Sequence, residues 1–174
     1  EPQRRGKYIL IPLESGKTLL LHLGMSGSIR LYEHAPNLRK HDHFAVEMAT
    51  GDWFVFSDPR RFGYIDLFAS HTLNQHKLLA GIGPEPLSPD FTTAQINASL
   101  HGKTCSIKSF LLDQKQIAGI GNIYACEALF EAGISPNRRA KSVSGKRTER
   151  LLPAIQSILN KAISAGGTSL RDHI

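Results

Sequence analysis

The chain has 174 residues and a hydrophobic fraction of 41%, enough for one or two small domains with a packed core. It carries 21 Lys and Arg against 15 Asp and Glu, a formal charge of +6, and its apolar runs are too short to span a membrane. Cys105 and Cys126 lie in no Cys-x-x-Cys motif, and no signal-peptide pattern is present, which argues against a secreted disulfide scaffold and against a cysteine-based zinc site. We therefore expect a reduced, intracellular protein.

The first 68 residues are typical of antiparallel β structure. Short runs rich in β-branched, aromatic and leucine residues alternate with turn sequences such as Glu14-Ser15-Gly16. These runs predict strands at residues 8–13, 18–23, 44–48, 53–56 and 64–68, in a sandwich or barrel. A short helix is predicted within residues 69–80.

The second half has helical periodicity after a Gly- and Pro-rich linker at residues 81–90. Helices are predicted at residues 92–100, 106–114, 122–132 and 145–165. In the last one, Pro153 is expected to kink or restart the helix, and Gly166-Gly167 to end it. The sequence therefore predicts an α+β protein of two domains, with a partial antiparallel β-sandwich at residues 1–80 and an all-α domain at residues 91–174.

A glycine-split loop, Gly119-Ile120-Gly121, leads directly into the third predicted helix. Helical spacing of Ile123, Cys126, Leu129 and Phe130 predicts the apolar face of that helix, and Asn122 occupies the expected N-cap position. Glycines let a phosphate approach the backbone, and a helix N-terminus offers unpaired N–H donors to it. The loop is thus a candidate phosphate site; the alternative is an ordinary tight turn between two helices.

Basic residues concentrate around this loop. Residues 100–150 hold nine Lys and Arg against four Asp and Glu, a local charge of +5. Such a surface attracts polyanions, which favours nucleic acid as a partner. A solvated basic surface without a partner is the alternative interpretation.

Two loops of the β half combine apolar and basic side chains. Gly24-Met25-Ser26-Gly27 places Met25 between glycines, and Asp58-Pro59-Arg60-Arg61-Phe62-Gly63 places Arg60 and Phe62 on a turn. Apolar side chains can enter a base stack, and arginine can bond an orphaned base edge. The alternative is that Met25 belongs to the core and Phe62 tucks under its turn.

The ordered set of these motifs resembles bacterial formamidopyrimidine-DNA glycosylase, which removes 8-oxoguanine and ring-opened purines from DNA. The endonuclease VIII branch is less similar, because it lacks the Met-bearing loop and the Arg-Arg-Phe turn in this form. The matching segments span nearly the whole chain and are Arg4-Arg5-Gly6-Lys7-Tyr8, His22-Leu23-Gly24-Met25-Ser26-Gly27, Lys40-His41-Asp42-His43, Asp58-Pro59-Arg60-Arg61-Phe62-Gly63, Gly83-Pro84-Glu85-Pro86-Leu87, Ile107-Lys108 and Gly119-Ile120-Gly121-Asn122-Ile123-Tyr124.

The resemblance implies a β-sandwich joined to a helix–two-turns–helix domain, with DNA bound between them. It implies that Met25, Arg60 and Phe62 fill the gap left by an everted base, with Arg60 reading the opposite cytosine. The remaining implied DNA contacts are Lys7, His22, His41, Lys103, Lys108 and Asn122. Lys7 is also implied to assist β-elimination, and Glu127 to support the active-site region.

The chain also departs from the family pattern. The family's nucleophile is an N-terminal proline in a Pro-Glu-Leu-Pro-Glu opening, and Pro2 here is not that proline. A four-cysteine zinc finger ends the family's chains, whereas this sequence closes with Arg171-Asp172-His173-Ile174. We therefore expect an internal fragment that binds DNA without catalysis and holds no cofactor, zinc being expected in the finger of the parent protein.

Two further hypotheses remain beside a glycosylase with lyase activity. A non-catalytic nucleic-acid-binding module would use the helix–two-turns–helix alone. A metal hydrolase would use His41, Asp42 and His43, although a lone His-x-His provides few ligands. For the favoured hypothesis we expect a bacterial, cytoplasmic monomer that acts at the nucleoid on duplex DNA containing oxidised purines, and no membrane partner.

Overall fold

The computed structural model describes residues 1–167. The chain divides into two compact units, the first spanning Glu1–Leu79 and the second beginning at Ala80. The predicted boundaries of the two domains and of the linker at residues 81–90 stay predictions. The closing Arg171-Asp172-His173-Ile174 lies outside the described residues.

The first unit is built from two antiparallel sheets. Four strands pair in the order β1-β2-β3-β7, and three pair in the order β4-β6-β5. The strands are β1 (Gln3–Arg5), β2 (Tyr8–Pro12), β3 (Lys17–His22), β4 (Ser28–Tyr32), β5 (Asp42–Glu47), β6 (Trp53–Ser57) and β7 (Tyr64–Ala69).

Apolar side chains pack between these sheets. Leu19 and Leu21 of β3 form one cluster with Phe54 and Phe56 of β6. Alternate residues of a strand point to the same face, so each pair meets the opposite sheet, as in a β-sandwich. The predicted sandwich is therefore confirmed.

Two strands were not predicted. The strand β1 contains Gln3, Arg4 and Arg5, and β4 carries the exposed Arg30 and Leu31. The first run is entirely polar, and in the second Arg30 interrupts the apolar residues, so neither has the apolar pattern of a strand. The helix predicted within residues 69–80 is only a short 3-10 helix, Ser70–Gln75.

Over residues 80–167, the second unit has four α-helices and a 3-10 helix, Ala140–Ser142. Thr92 and Gln95 form a reciprocal capping box at the start of the first helix, and Ser106 caps the second. The α-helices are α1 (Thr93–Leu100), α2 (Ile107–Leu112), α3 (Asn122–Glu131) and α4 (Lys146–Ser164). The predicted helices and the α+β class are confirmed, with shifts of one or two residues at the ends.

Two local predictions fail. Gly121 is the N-cap of α3, so Asn122 is the first helical residue and not the cap. The expected restart of α4 at Pro153 is wrong, because the helix runs continuously from Lys146 to Ser164; a kink at Pro153 stays a prediction. Pro153 and Glu149 are both exposed, so water can satisfy the carbonyl that the missing proline N–H leaves without its helical partner.

The predicted apolar face of α3 is also partly wrong. Cys126 is exposed and Phe130 is 90% exposed. The helix instead buries Ala125, Ala128 and Leu129, because small alanines allow α3 to pack closely in the core of this unit. Among residues 1–167, no helix has the length and apolar character needed to cross a membrane.

Candidate nucleic-acid interface

The loop after β3 presents Met25 to solvent. Met25 is 74% exposed, so the alternative that it belongs to the core is wrong. Gly24 adopts a φ of +65°, and its N–H donates to His22 Nδ1 over 3.0 Å. The Gly27 N–H closes the loop on the Leu23 carbonyl at 2.8 Å. The loop therefore has a defined conformation with an apolar side chain at its tip.

The turn after β6 presents Arg60 and Phe62. Phe62 is 56% exposed and does not tuck under its turn. The guanidinium carbon of Arg60 lies 4.8 Å from the centroid of the Phe62 ring, within cation–π range. Arg61 between them has a φ of +56°, a left-handed conformation that non-glycine residues seldom adopt. The turn thus holds an exposed cation and an exposed ring together.

Asp58 connects this turn to the Met25 loop. Its side chain accepts a hydrogen bond of 2.6 Å from the Ser26 hydroxyl and another of 2.6 Å from the Gly63 N–H. Ser26 Oγ in turn accepts the Arg60 N–H at 3.2 Å. The hydrogen bond from Ser26 is the largest of the contacts that lower the pKa of Asp58, and it outweighs the desolvation that would raise this pKa. The carboxylate is therefore ionised at neutral pH. Sequence reasoning assigned no role to Asp58 or Ser26.

A shallow pocket next to the Met25 loop contains Lys7 and His22. Lys7 follows Gly6 in the turn between β1 and β2, and the rings of Tyr8 and His22 have centroids 5.1 Å apart. Lys7 is exposed, and partial desolvation lowers its pKa. The pKa of His22 is lowered mainly by desolvation and also by the nearby charge of Lys7. A low pKa agrees with a neutral ring, whose Nδ1 can accept the hydrogen bond from Gly24. The structure therefore brings these two predicted site residues together.

His41 supports the same turn through its backbone. Its carbonyl accepts the Asp58 N–H at 2.9 Å and the Ser57 hydroxyl at 3.2 Å. His43 Nε2 lies 3.0 Å from the Asp58 carbonyl oxygen. Within residues 1–167, no group of three or more His, Cys, Asp or Glu side chains is arranged to hold a metal ion, zinc included. His41, Asp42 and His43 therefore do not form such a group.

In the second unit, Gln114 braces the glycine loop between α2 and α3. Its Oε1 accepts the Gly119 N–H at 2.9 Å, and its Nε2 donates to the carbonyls of Leu112 at 3.0 Å and Ile120 at 2.9 Å. Gly119 has a φ of +79°. The loop ends at the N-terminus of α3, where Asn122 is exposed. Sequence reasoning missed Gln114, which holds the loop that positions this helix terminus.

Comparison with known proteins identifies the family. The model of the formamidopyrimidine-DNA glycosylase H2TH domain matches residues 82–173, and the model of the N-terminal domain of the same enzyme matches residues 1–65. This chain belongs to the formamidopyrimidine-DNA glycosylase family. Its glycine loop lies within the matched helix–two-turns–helix region, and its Met25 and Phe62 loops lie within the matched N-terminal region.

Individual relatives agree with this assignment. The formamidopyrimidine-DNA glycosylase of Dinoroseobacter shibae is 51% identical over 179 residues, which cover 98% of this chain and 63% of the relative. A complex of Lactococcus lactis Fpg with DNA containing an abasic site is 35% identical, with a TM-score of 0.90 and coverage of 98% of this chain and 62% of that one. A complex of MutM with DNA containing carbocyclic 8-oxo-G has the same identity of 35% and a TM-score of 0.90, with coverage of 98% and 63%.

The chain thus spans a little under two thirds of the length of these relatives. The structure gathers the predicted family site residues into two groups, one in each unit. Lys7, His22, Met25, His41, Arg60 and Phe62 belong to the first unit, and Lys103, Lys108, Asn122 and Glu127 belong to the second.

The predicted contacts of the second unit lie on neighbouring segments. Lys103 and Lys108 are half-buried, and the carbonyl of Lys103 accepts the N–H of Lys141 at 3.0 Å. Ser106 forms an isolated β-bridge with Arg139. These contacts bring the basic segment around Arg139 next to the start of α2. Glu127 is exposed on α3, and its supporting role stays a prediction.

Proposed function

We propose that the protein acts in base-excision repair, removing 8-oxoguanine and formamidopyrimidines from duplex DNA and cleaving the resulting abasic site as a lyase. The 174 residues supply DNA-binding surfaces of that enzyme. The observation that carries the proposal is the exposure of Met25, Arg60 and Phe62 on two loops joined through Asp58. Binding to phosphates alone does not require two exposed apolar side chains beside an arginine.

These side chains fit a gap in a base stack. An enzyme that reacts at the sugar of a damaged nucleotide turns that nucleotide out of the duplex and pays for lost stacking. Met25 and Phe62 would replace the stacking, since both are apolar and exposed. Arg60 would donate hydrogen bonds to the base left without its partner, with cytosine favoured through its acceptors.

Phosphate binding would hold the duplex. The loop that Gln114 braces leads into the N-terminus of α3, where backbone N–H groups lack helical partners and Asn122 is exposed. Lys103 and Lys108, in a segment with a local charge of +5, add attraction for the polyanion. Lys7, His22 and His41 would contact the backbone near the lesion from the first unit.

The reaction needs an amine. In the proposed chemistry an amine forms a bond to the sugar C1′, the glycosidic bond breaks and the base leaves; the resulting Schiff base permits elimination of the 3′ phosphate. The family's N-terminal proline is not among these 174 residues, so we expect the polypeptide to bind damaged DNA without releasing the base. Lys7, whose pKa is lowered, would assist elimination, and Glu127 would support the site.

The remaining properties follow from the proposed function. The protein would work as a monomer at the chromosome of a bacterium, and zinc would belong to a finger outside these residues. The alternative is a non-catalytic nucleic-acid-binding module that uses its helix–two-turns–helix alone.

An excision assay with a chimera tests the proposal. The 174 residues would replace their counterpart in the Dinoroseobacter shibae relative, which supplies the rest of the enzyme. We expect the chimera to release 8-oxoguanine and to be trapped on DNA by borohydride, whereas the chimera with Met25, Arg60 and Phe62 all changed to Ala releases none. A folded chimera that binds duplex but leaves 8-oxoguanine in place would support the binding-module alternative. Release by the 174-residue chain alone would overturn the expectation that it lacks the nucleophile.

A further inference from the structure

We propose that Asp58 is a positioning residue that, with Ser26, locks the Met25 loop and the Arg60–Phe62 turn into one rigid wedge. The three gap-filling side chains would then reach the DNA already arranged. This inference rests on the proposed function and adds the device that holds its gap-filling residues in place.

The hydrogen bonds of Asp58 reach both loops. One carboxylate oxygen accepts the Ser26 hydroxyl at 2.6 Å and lies 3.3 Å from the Arg60 N–H, and the other accepts the Gly63 N–H at 2.6 Å. Asp58 is only 1% exposed. A buried carboxylate with partners on two loops holds them more tightly than surface bonds do, because water competes little for its oxygens.

Close backbone packing supports the same lock. A Cβ added to Gly24 would lie 2.7 Å from the carbonyl carbon of Phe62, which is too close for a real contact. A Cβ added to Gly63 would lie 2.5 Å from the Phe56 ring and 3.0 Å from Asp58 Oδ2. The two loops therefore touch at Gly24, and Gly63 packs against the strand and the carboxylate that support the turn, so neither position has space for a side chain.

The wedge is anchored to the sheet beneath it. The Asp58 N–H donates to the His41 carbonyl at 2.9 Å, and the Asp58 carbonyl lies 3.0 Å from His43 Nε2. Asp58 directly follows β6, and His43 belongs to β5. The lock is thus fixed to two paired strands rather than to flexible chain.

The turn needs such support. Arg61 has a φ of +56°, which is unfavourable for a side chain of this kind, and its N–H donates to the Asp58 carbonyl at 3.3 Å. Without the Asp58 contacts we expect the turn to relax into several conformations. Ordering them again on DNA would then reduce affinity for the gap.

The lock is tested in the full 174-residue chain with a DNA duplex that carries 2-aminopurine beside an abasic-site analogue. The fluorescence of 2-aminopurine increases when this base is unstacked from its neighbours. The variants are Asp58→Asn and Ser26→Ala, with Ser26→Thr as the conservative rescue that keeps the hydroxyl. Glu47→Gln of β5 and Ser15→Ala of the turn between β2 and β3 are matched controls at exposed positions elsewhere in the same unit. Thermal unfolding of each variant identifies those that fold.

We expect the wild-type protein, both controls and Ser26→Thr to brighten the probe. Ser26→Ala and Asp58→Asn should lose most of this response, and their preference for abasic over undamaged duplex should fall about tenfold. A wild-type response retained in folded Ser26→Ala and Asp58→Asn would overturn the lock while leaving the proposed function intact. If the wild-type protein binds the duplex without brightening the probe, the proposed function fails together with the lock.

Discussion

The guanidinium carbon of Arg60 lies 4.8 Å from the centroid of the Phe62 ring. Both side chains are exposed, so the pair is formed on the surface before any partner arrives. An arginine stacked on a ring keeps its planar donors oriented while it loses less freedom on binding. The pair therefore has the properties needed to enter a base stack and read the base opposite.

Replacing Arg60 tests whether this side chain recognises the base opposite the lesion. We expect Arg60→Ala to remove the preference for cytosine opposite an abasic-site analogue, a loss of about 1–3 kcal/mol of discrimination. Binding titrations with each of the four opposite bases measure it. Arg30→Ala, which removes an exposed arginine from β4, is the matched control and should keep the preference. An unchanged order of the four bases in Arg60→Ala would show that another residue reads the partner.

Asn122 is expected to position DNA without reading sequence or damage. Asn122→Ala should weaken binding to lesion-containing and undamaged duplexes by about the same factor, because phosphate contacts carry no base information directly. Parallel titrations of both duplexes give the two ratios, with Asn160→Ala of α4 as an exposed control. A loss confined to the lesion duplex would contradict a phosphate role.

Gln114 should stabilise the second unit and its loop together. Its amide makes three hydrogen bonds, and Gln114→Ala leaves the Gly119 N–H and the Ile120 carbonyl without those partners. We expect a loss of about 1–3 kcal/mol in the free energy of unfolding and weaker DNA binding. Gln116→Ala, which removes only a 3.3 Å bond to Asp113, should have a much smaller effect in the same denaturation experiment. Equal effects of the two substitutions would refute the bracing role.

His22 should make stability depend on pH. Its folded-state pKa is lowered from the ordinary 6.5 by desolvation and by Lys7, so the unfolded chain binds the proton more readily. The stabilisation is complete above pH 6.5 and is lost as the pH falls through the lowered pKa. Between about pH 7.5 and about pH 5.5 the melting temperature of wild type should fall further than that of His22→Phe, which does not titrate. His34→Phe, at an exposed position, should behave like wild type; an identical pH response of His22→Phe and wild type would contradict the assignment.

Local patterns were sufficient for the main elements and for the exposed loop tips. Short runs rich in β-branched, aromatic and leucine residues predicted five of the seven strands of the first unit, and the glycines around Met25 and Phe62 marked the turns that present them. These features depend on neighbours in sequence, so short-range spacing contains the necessary information. The two missed strands lack such a run, because β1 is entirely polar and Arg30 interrupts β4.

The supporting contacts depend on tertiary structure. Asp58 and Ser26 are 32 positions apart, and no local pattern relates a serine in one loop to an aspartate in another. Phe130 was expected in the core, yet the face that α3 buries is set by its packing against α4, with alanines at the contact. The path of α4 through Pro153 likewise depends on an exposed position, where the carbonyl of Glu149 is accessible to water.

The most direct test of the account is equilibrium binding of the 174-residue chain to two duplexes at two salt concentrations. One duplex carries an abasic-site analogue opposite cytosine, and the other is undamaged. We expect both affinities to fall at least about tenfold between about 50 and about 200 mM salt, because bound phosphates release counterions. At each concentration the abasic duplex should bind more tightly, since only it offers a gap for Met25 and Phe62. Equal affinity for the two duplexes, or affinity independent of salt, would contradict the account.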